Sequence, residues 1–152
     1  MMLPSPNDLQ IDLEMFFRII FSCLLGCVIG WERERHGITS AGIRTYGAIA
    51  LGSCAFGIVS IYAGGVNVDP SRIAAQVVTG IGFLGGGIIF KEGGNITGLT
   101  TAATLWATAA LGLAVSFGMY LLALLVSILM YLLLYLPRLA WWKKISKKGI
   151  FK

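Results

Sequence analysis

Residues 99–136 read LTTAATLWATAALGLAVSFGMYLLALLVSILMYLLLYL, 38 consecutive positions without a charged side chain. As one helix this stretch would run about 57 Å at 1.5 Å per residue, nearly twice the ~30 Å hydrocarbon core of a bilayer. A soluble fold of this size has no use for such a length. The stretch therefore predicts two membrane spans back to back. Gly118 is the expected turn between them, because glycine reaches positive φ without a steric penalty.

The rest of the chain agrees. Of its 152 residues, 57% are hydrophobic and only 12% charged, against about 25% charged in an ordinary soluble domain. Hydropathy marks five segments, 13–31, 43–62, 71–90, 99–117 and 119–136. The expected fold is an all-α, polytopic bundle of five transmembrane helices within residues 1–136, followed by a short basic and aromatic tail at 137–152. Short connections make neighbouring spans antiparallel. Arg33, Arg35, Arg44, Lys91, Arg138, Lys143, Lys144, Lys147, Lys148 and Lys152 fall in one set of loops. The other set holds Arg72 beside Asp8, Asp12 and Asp69. The positive-inside rule then places the N-terminus outside and the C-terminus in the cytoplasm. Met1–Glu14 contains no Lys or Arg and no short apolar run with a cleavage site, so no cleavable signal is expected. Trp141, Trp142 and the tail lysines suit a membrane-surface anchor better than nucleic-acid binding.

Several polar and small residues recur at helical spacing inside the spans. Glu14, Arg18, Ser22, Gly26 and Gly30 form a ridge at intervals of four. Its outer end carries an ion pair and its inner end a small-residue strip for a second helix. Arg18 and Arg72 are both expected at the outer face, so Glu14 has two candidate partners. Gly42, Gly47, Gly52 and Gly57 recur every five residues, form no single face, and predict close packing on several sides. Asp69 precedes Pro70 and is the expected N-cap of the third span. Arg72, Gln76, Thr79, Gly80, Phe83 and Gly87 then trace one face. A glutamine one turn inside a span needs a protein partner, since lipid offers none. Gly80 and Gly87 are expected to pack against a helix. Thr97, Thr101, Thr104, Thr108 and Gly112 form a stripe on the fourth span, where threonine hydroxyls bond back to carbonyls one turn earlier.

Some chemistry is excluded. Gly80-Ile81-Gly82-Phe83-Leu84-Gly85 fits the GxGxxG pattern, but no strand precedes it and no acidic residue follows at the required distance. It is read as close helix contact or a bend, with a broken helix lining an ion site as the alternative. His36 is the only histidine, and the three cysteines lie in apolar runs, so neither a metal site built on His36 nor a disulfide framework is expected. No nucleophile, base and orienting group come together, so the chain is not expected to be an enzyme. No cofactor is expected, with Mg²⁺ the one candidate ion.

Four ordered segments carry a resemblance. These are Gly30-Trp31-Glu32-Arg33-Glu34; Ala41-Gly42-Ile43-Arg44-Thr45; the run from Asp69-Pro70-Ser71-Arg72 through Gln76 and Gly80 to Gly87; and Gly98-Leu99-Thr100-Thr101 through Thr104 to Trp106. Together they resemble the successive motifs of the MgtC/SapB family over about residues 14–136. The resemblance implies a bacterial inner-membrane protein with five spans, associated with growth at low magnesium and with survival of pathogens inside macrophages. It implies motif positions at Glu14, Arg18, Glu32, Arg33, Glu34, Arg44, Thr45, Asp69, Arg72, Gln76, Thr100, Thr101 and Trp106. Many members continue into a cytoplasmic ACT-like domain, whereas here residues 137–152 follow the fifth span, so a short form is expected.

Two roles compete on these residues. A regulatory subunit would dock through its small-residue ridges to a second copy or to another inner-membrane protein. An ion pathway for Mg²⁺ or protons would collect cations at Asp12, Glu14 and Asp69 and deliver them near Glu32, Glu34 or Glu92. Arg18 and Arg72 beside the outer acids oppose a divalent cation, and the regulatory role is the preferred expectation.

Overall fold

A computed structural model describes residues 6–35, 41–62 and 69–139. Five helices, α1 (Pro6–Glu34), α2 (Ile43–Tyr62), α3 (Arg72–Ile88), α4 (Leu99–Ser116) and α5 (Tyr120–Tyr135), are joined by one hairpin, β1 (Phe90–Glu92) and β2 (Asn95–Thr97). A 3₁₀ turn, Leu136–Arg138, closes the described chain. The five hydropathic segments all appear as helices. Four helices are long and apolar enough to cross a membrane, and α3 is a shorter apolar helix of 17 residues.

The structure departs from expectation at three ends, one of them the end of α1, which runs on to Glu34, three residues past the expected 31. Helix α1 starts at Pro6, seven residues before the apolar segment, because helix formation does not stop where hydropathy does. Proline opens the helix and Asp8 sits in its first turn, where a negative charge complements the dipole. Helix α3 ends at Ile88, two residues early. The following residue, Ile89, is extended and leads into the hairpin, in which Glu92 pairs with Asn95 across Gly93-Gly94. Both turn glycines have positive φ, 54° and 90°, the requirement of a two-residue hairpin turn.

The turn between α4 and α5 follows the expectation. Gly118 has φ 73°; its N–H donates to the Val115 carbonyl at 3.0 Å and the Met119 N–H to the Ala114 carbonyl at 2.8 Å. These are the two bonds of a Schellman C-cap.

Packing sets the direction of every helix. Ser22 meets Ala50, Gly26 meets Tyr46 and Gly30 meets Ile43, so α1 and α2 run antiparallel. Tyr46 meets Thr104 and Gly57 meets Ser116, so α2 and α4 run parallel. Arg18 meets Ser116 and Arg33 meets Thr101, so α4 runs against α1. The core is a seam of small and medium side chains: Ala50, Cys54, Leu105, Leu111, Val115 and Ala123, closed by Ile29 and Tyr46. Large apolar side chains point outward instead, among them Phe16, Phe83, Leu121 and Leu133. That inversion suits a bundle whose surroundings are hydrocarbon, since small residues let helix backbones approach while leucine and phenylalanine face lipid.

Candidate functional site

Two polar clusters occupy opposite ends of the bundle. At one end Arg18 pairs with Glu14 on its own helix and also donates to the Ser116 carbonyl at the end of α4. Of the two candidate partners for Glu14, this is the local one. Arg72 is exposed on α3. The rest of the α1 ridge works as a packing seam: the Ser22 hydroxyl, fully buried, donates to the Ala50 carbonyl at 2.8 Å. A Cβ on Gly26 would meet the Tyr46 carbonyl oxygen at 2.6 Å, and one on Gly30 would meet Ile43 Cα at 2.7 Å. The α2 glycines point to several sides, as their spacing predicts. Gly47 faces Cys27 of α1, Gly57 faces Ser116 of α4, and Gly52 faces open space.

The start of α3 differs from the sequence expectation. Asp69 is not the N-cap: that position is Ser71, whose own side chain does not cap the helix. The Asp69 carboxylate instead accepts from the Ser71 N–H at 2.8 Å and the Ser71 hydroxyl at 2.7 Å, forming a turn ahead of the helix. Those bonds, the backbone one first, hold its carboxyl below the ordinary value of 3.8. The capping is supplied from α2. The Ser60 hydroxyl accepts from the Ile73 and Ala74 N–H groups at 3.2 and 3.3 Å and donates to the Pro70 carbonyl at 2.5 Å. No local signal marks Ser60, because the cap comes from another helix.

At the other end Glu32 is 2% exposed and forms an ion pair with Arg138, just beyond α5. Its neighbour Arg33 donates through Nη2 to the Thr101 hydroxyl at 2.9 Å, and the Glu34 carboxylate accepts from the Ile43 N–H at 2.8 Å. Three consecutive residues at the end of α1 thus hold α5, α4 and α2 respectively. The α4 stripe continues the network. The Tyr46 and Thr104 hydroxyls bond at 2.6 Å, and Thr104 and Thr108 bond back to carbonyls of the preceding turn. Sequence reasoning counted Arg138 only as a loop charge. Its place after the fifth span, on the same side as Glu32, was the available signal.

The remaining motif positions stand apart from these clusters. Arg44, Thr100 and Trp106 are exposed and Thr45 half-buried. Gln76 lies on an apolar groove of about 530 Å³ between α2 and α3, lined also by Gly52, Ser53, Phe56 and Gly80. Gly80 and Gly87, expected to pack on a helix, have nothing within 4 Å of where a Cβ would stand. Among the described residues they touch no other helix, and Gly80 borders the groove where α3 stands apart from α2. His36 and the basic tail from residue 140 lie outside the described residues. Among the described residues no three His, Cys, Asp or Glu side chains gather to hold a metal ion.

Apolar helices joined through small-residue seams, with one buried acid, Glu32, and one exposed acid, Glu14, each held by an arginine, define an all-α multi-pass membrane protein. The chain belongs to the MgtC family, whose model matches residues 19–140. It is 47% identical over 114 residues to the putative magnesium transporter YhiD of Escherichia coli K12, covering 70% of this chain and 53% of that protein. It is 52% identical over 97 residues to protein MgtC of Brucella abortus, covering 63% of this chain and 40% of that one. The chain thus spans about half the length, or less, of these relatives. No solved structure matches it.

Proposed function

We propose that this chain is a non-enzymatic subunit of the bacterial inner membrane that regulates other membrane proteins during adaptation to low magnesium or host stress. It acts by docking, to a second copy or to another inner-membrane protein. It spans the bilayer five times with the N-terminus outside and the C-terminus in the cytoplasm, and the lysines and tryptophans of its tail suit a lipid surface by composition. The positive-inside distribution of Arg33, Arg35, Lys91 and Arg138 supports that orientation. So does the alternation of helix directions, which carries those residues to one end of the bundle.

The observation that carries the docking role is the uncovered face of α3. Gly80 and Gly87 have no neighbour within 4 Å at their Cβ positions, and the exposed Gln76 lies on the same face. Hydrocarbon satisfies neither feature. A glutamine amide in lipid lacks hydrogen-bond partners, and bare backbone gains dispersion only from a closely apposed helix. A second helix supplies both.

The test is mild-detergent purification with crosslinking. A homo-oligomer or partner complex should be recovered and should be lost in Gly80→Leu and Gly87→Leu. Recovery of an unaffected monomer in every case would overturn the proposal. The relative YhiD, named a putative magnesium transporter, favours a second reading, an oligomer that conducts Mg²⁺ or protons. Purified protein in liposomes under a set potential decides between them, since flux through the intact protein is expected only of the second.

A further inference from the structure

A cavity of about 900 Å³ opens where α1 ends, α4 begins and α5 passes into its 3₁₀ turn. Its polar wall is Glu32, Arg33, Arg138, Thr97, Thr100 and Thr101, and Leu133 and Leu134 of α5 form an apolar wall. Two guanidinium groups face one carboxylate, so the lining is net positive. The N-terminus of α4 adds to this. Its N-cap is Gly98, no side chain caps it, and no acidic residue lies in its first turn. The positive end of the helix dipole, with its unpaired first-turn N–H groups, therefore meets the cavity unneutralised.

A second observation is independent of the helix end. Arg33 is tied to Thr101 through Nη2, and its Nε is buried without an acceptor among the described residues. That N–H leaves the Arg33 charge incompletely satisfied by the protein, which favours an anion on the side of the guanidinium that faces the cavity. A cation in this place would meet two arginines and a helix N-terminus. A neutral occupant would leave the charge uncompensated.

We propose that this cavity binds a phosphate group, carried by an anionic phospholipid headgroup or by a free phosphate compound. Arg33 and Arg138 supply the charge, Thr100 supplies a hydroxyl donor, and the α4 N-terminus supplies backbone donors. Leu133 and Leu134 sit where a headgroup passes into its acyl chains. Trp31 and Tyr135 belong to the same end of the bundle and stack against Arg35 and Arg138 respectively, as aromatic side chains do at headgroup level. An occupant would bridge the ends of three helices. The inference does not depend on whether the chain regulates or conducts.

The test uses the full chain in zwitterionic detergent. Native mass spectrometry reads phosphatidylglycerol against phosphatidylcholine, and calorimetry reads inorganic phosphate and glycerophosphoglycerol. One saturable site per chain is expected. R33Q should weaken binding about tenfold, the loss of one charge-assisted contact, and T100V should weaken it severalfold. E32Q removes the one negative charge of the lining among the described residues and should tighten binding, whereas mere structural damage would weaken it. Should R33Q fail to fold, the opposite signs expected of E32Q and T100V decide. Saturable phosphatidylglycerol without inorganic phosphate assigns the headgroup, and saturable binding of the soluble phosphates assigns the free compound. Absence of saturable binding for all probes, or weakening by E32Q, would overturn the proposal.

Discussion

Gly26→Ala adds one methyl group where α1 and α2 approach closely. The new Cβ would stand 2.6 Å from the Tyr46 carbonyl oxygen and 2.7 Å from Ala50 Cβ, about 1 Å inside ordinary van der Waals contact. Neither neighbour can rotate away, because one is backbone and the other a Cβ. The helices must therefore separate. Overpacking of this kind costs about 1–3 kcal/mol. Separation also lengthens the bond from the Ser22 hydroxyl to the Ala50 carbonyl, now 2.8 Å, and an interhelical bond in a membrane protein contributes roughly 0.6 kcal/mol. Together the expected loss is about 1.5–3.5 kcal/mol. Gly52→Ala is the matched control, since nothing lies within 4 Å of its Cβ position; it should be neutral or slightly stabilising through helix propensity. Reversible unfolding in mixed micelles, read by helicity and by fluorescence, measures both. Equal stability of the two variants, within about 0.5 kcal/mol, would refute the close-packed α1–α2 seam.

Three further outcomes follow from the same geometry. Ser60→Ala removes the hydroxyl that caps α3 from α2 and should destabilise by about 1 kcal/mol, with faster hydrogen exchange at the Ile73 and Ala74 amides as the local readout. Glu32→Ala leaves Arg138 without its carboxylate at a nearly dry site and should destabilise by about 2–4 kcal/mol, discounted from a fully buried pair because Arg138 is partly exposed; denaturation of the single and double variants with Arg138→Gln separates the pair from the unpaired charge. The Asp69 carboxyl titrates below its ordinary value, so the turn it forms with Ser71 is fully present above about pH 4 and is lost as pH falls through the lowered value. Exchange of the Ser71 amide against pH should show that midpoint, and Asp69→Asn should abolish it.

Much of the architecture was readable before any coordinates. Five helices, the Gly118 turn, the α1 small-residue ridge, the Glu14–Arg18 spacing and the back-bonding threonines all depend on neighbours within a turn or two, and sequence spacing reports such contacts directly. The hairpin at 90–97 was missed because strands of three residues carry too little alternation to register against flanking apolar helices. The N-cap of α3 was placed at Asp69 on sound local chemistry, and Ser60 overrode it from another helix. Gly80 and Gly87 read the same as Gly26 and Gly30 in the sequence, yet only the latter pair meets a neighbour in the folded chain.

Local hydropathy and turn chemistry are short-range properties, so the chain itself already dictated a membrane-embedded helical protein, its approximate spans and its charge asymmetry. The partners of the buried charges are different. Glu32 with Arg138, Arg33 with Thr101 and Arg18 with the Ser116 carbonyl join residues far apart in the chain, and many pairings were compatible with the same spacing. Only the packing of α1 against α4 and α5 chose among them, because a desolvated charge accepts whichever complementary group the helix contacts bring within reach.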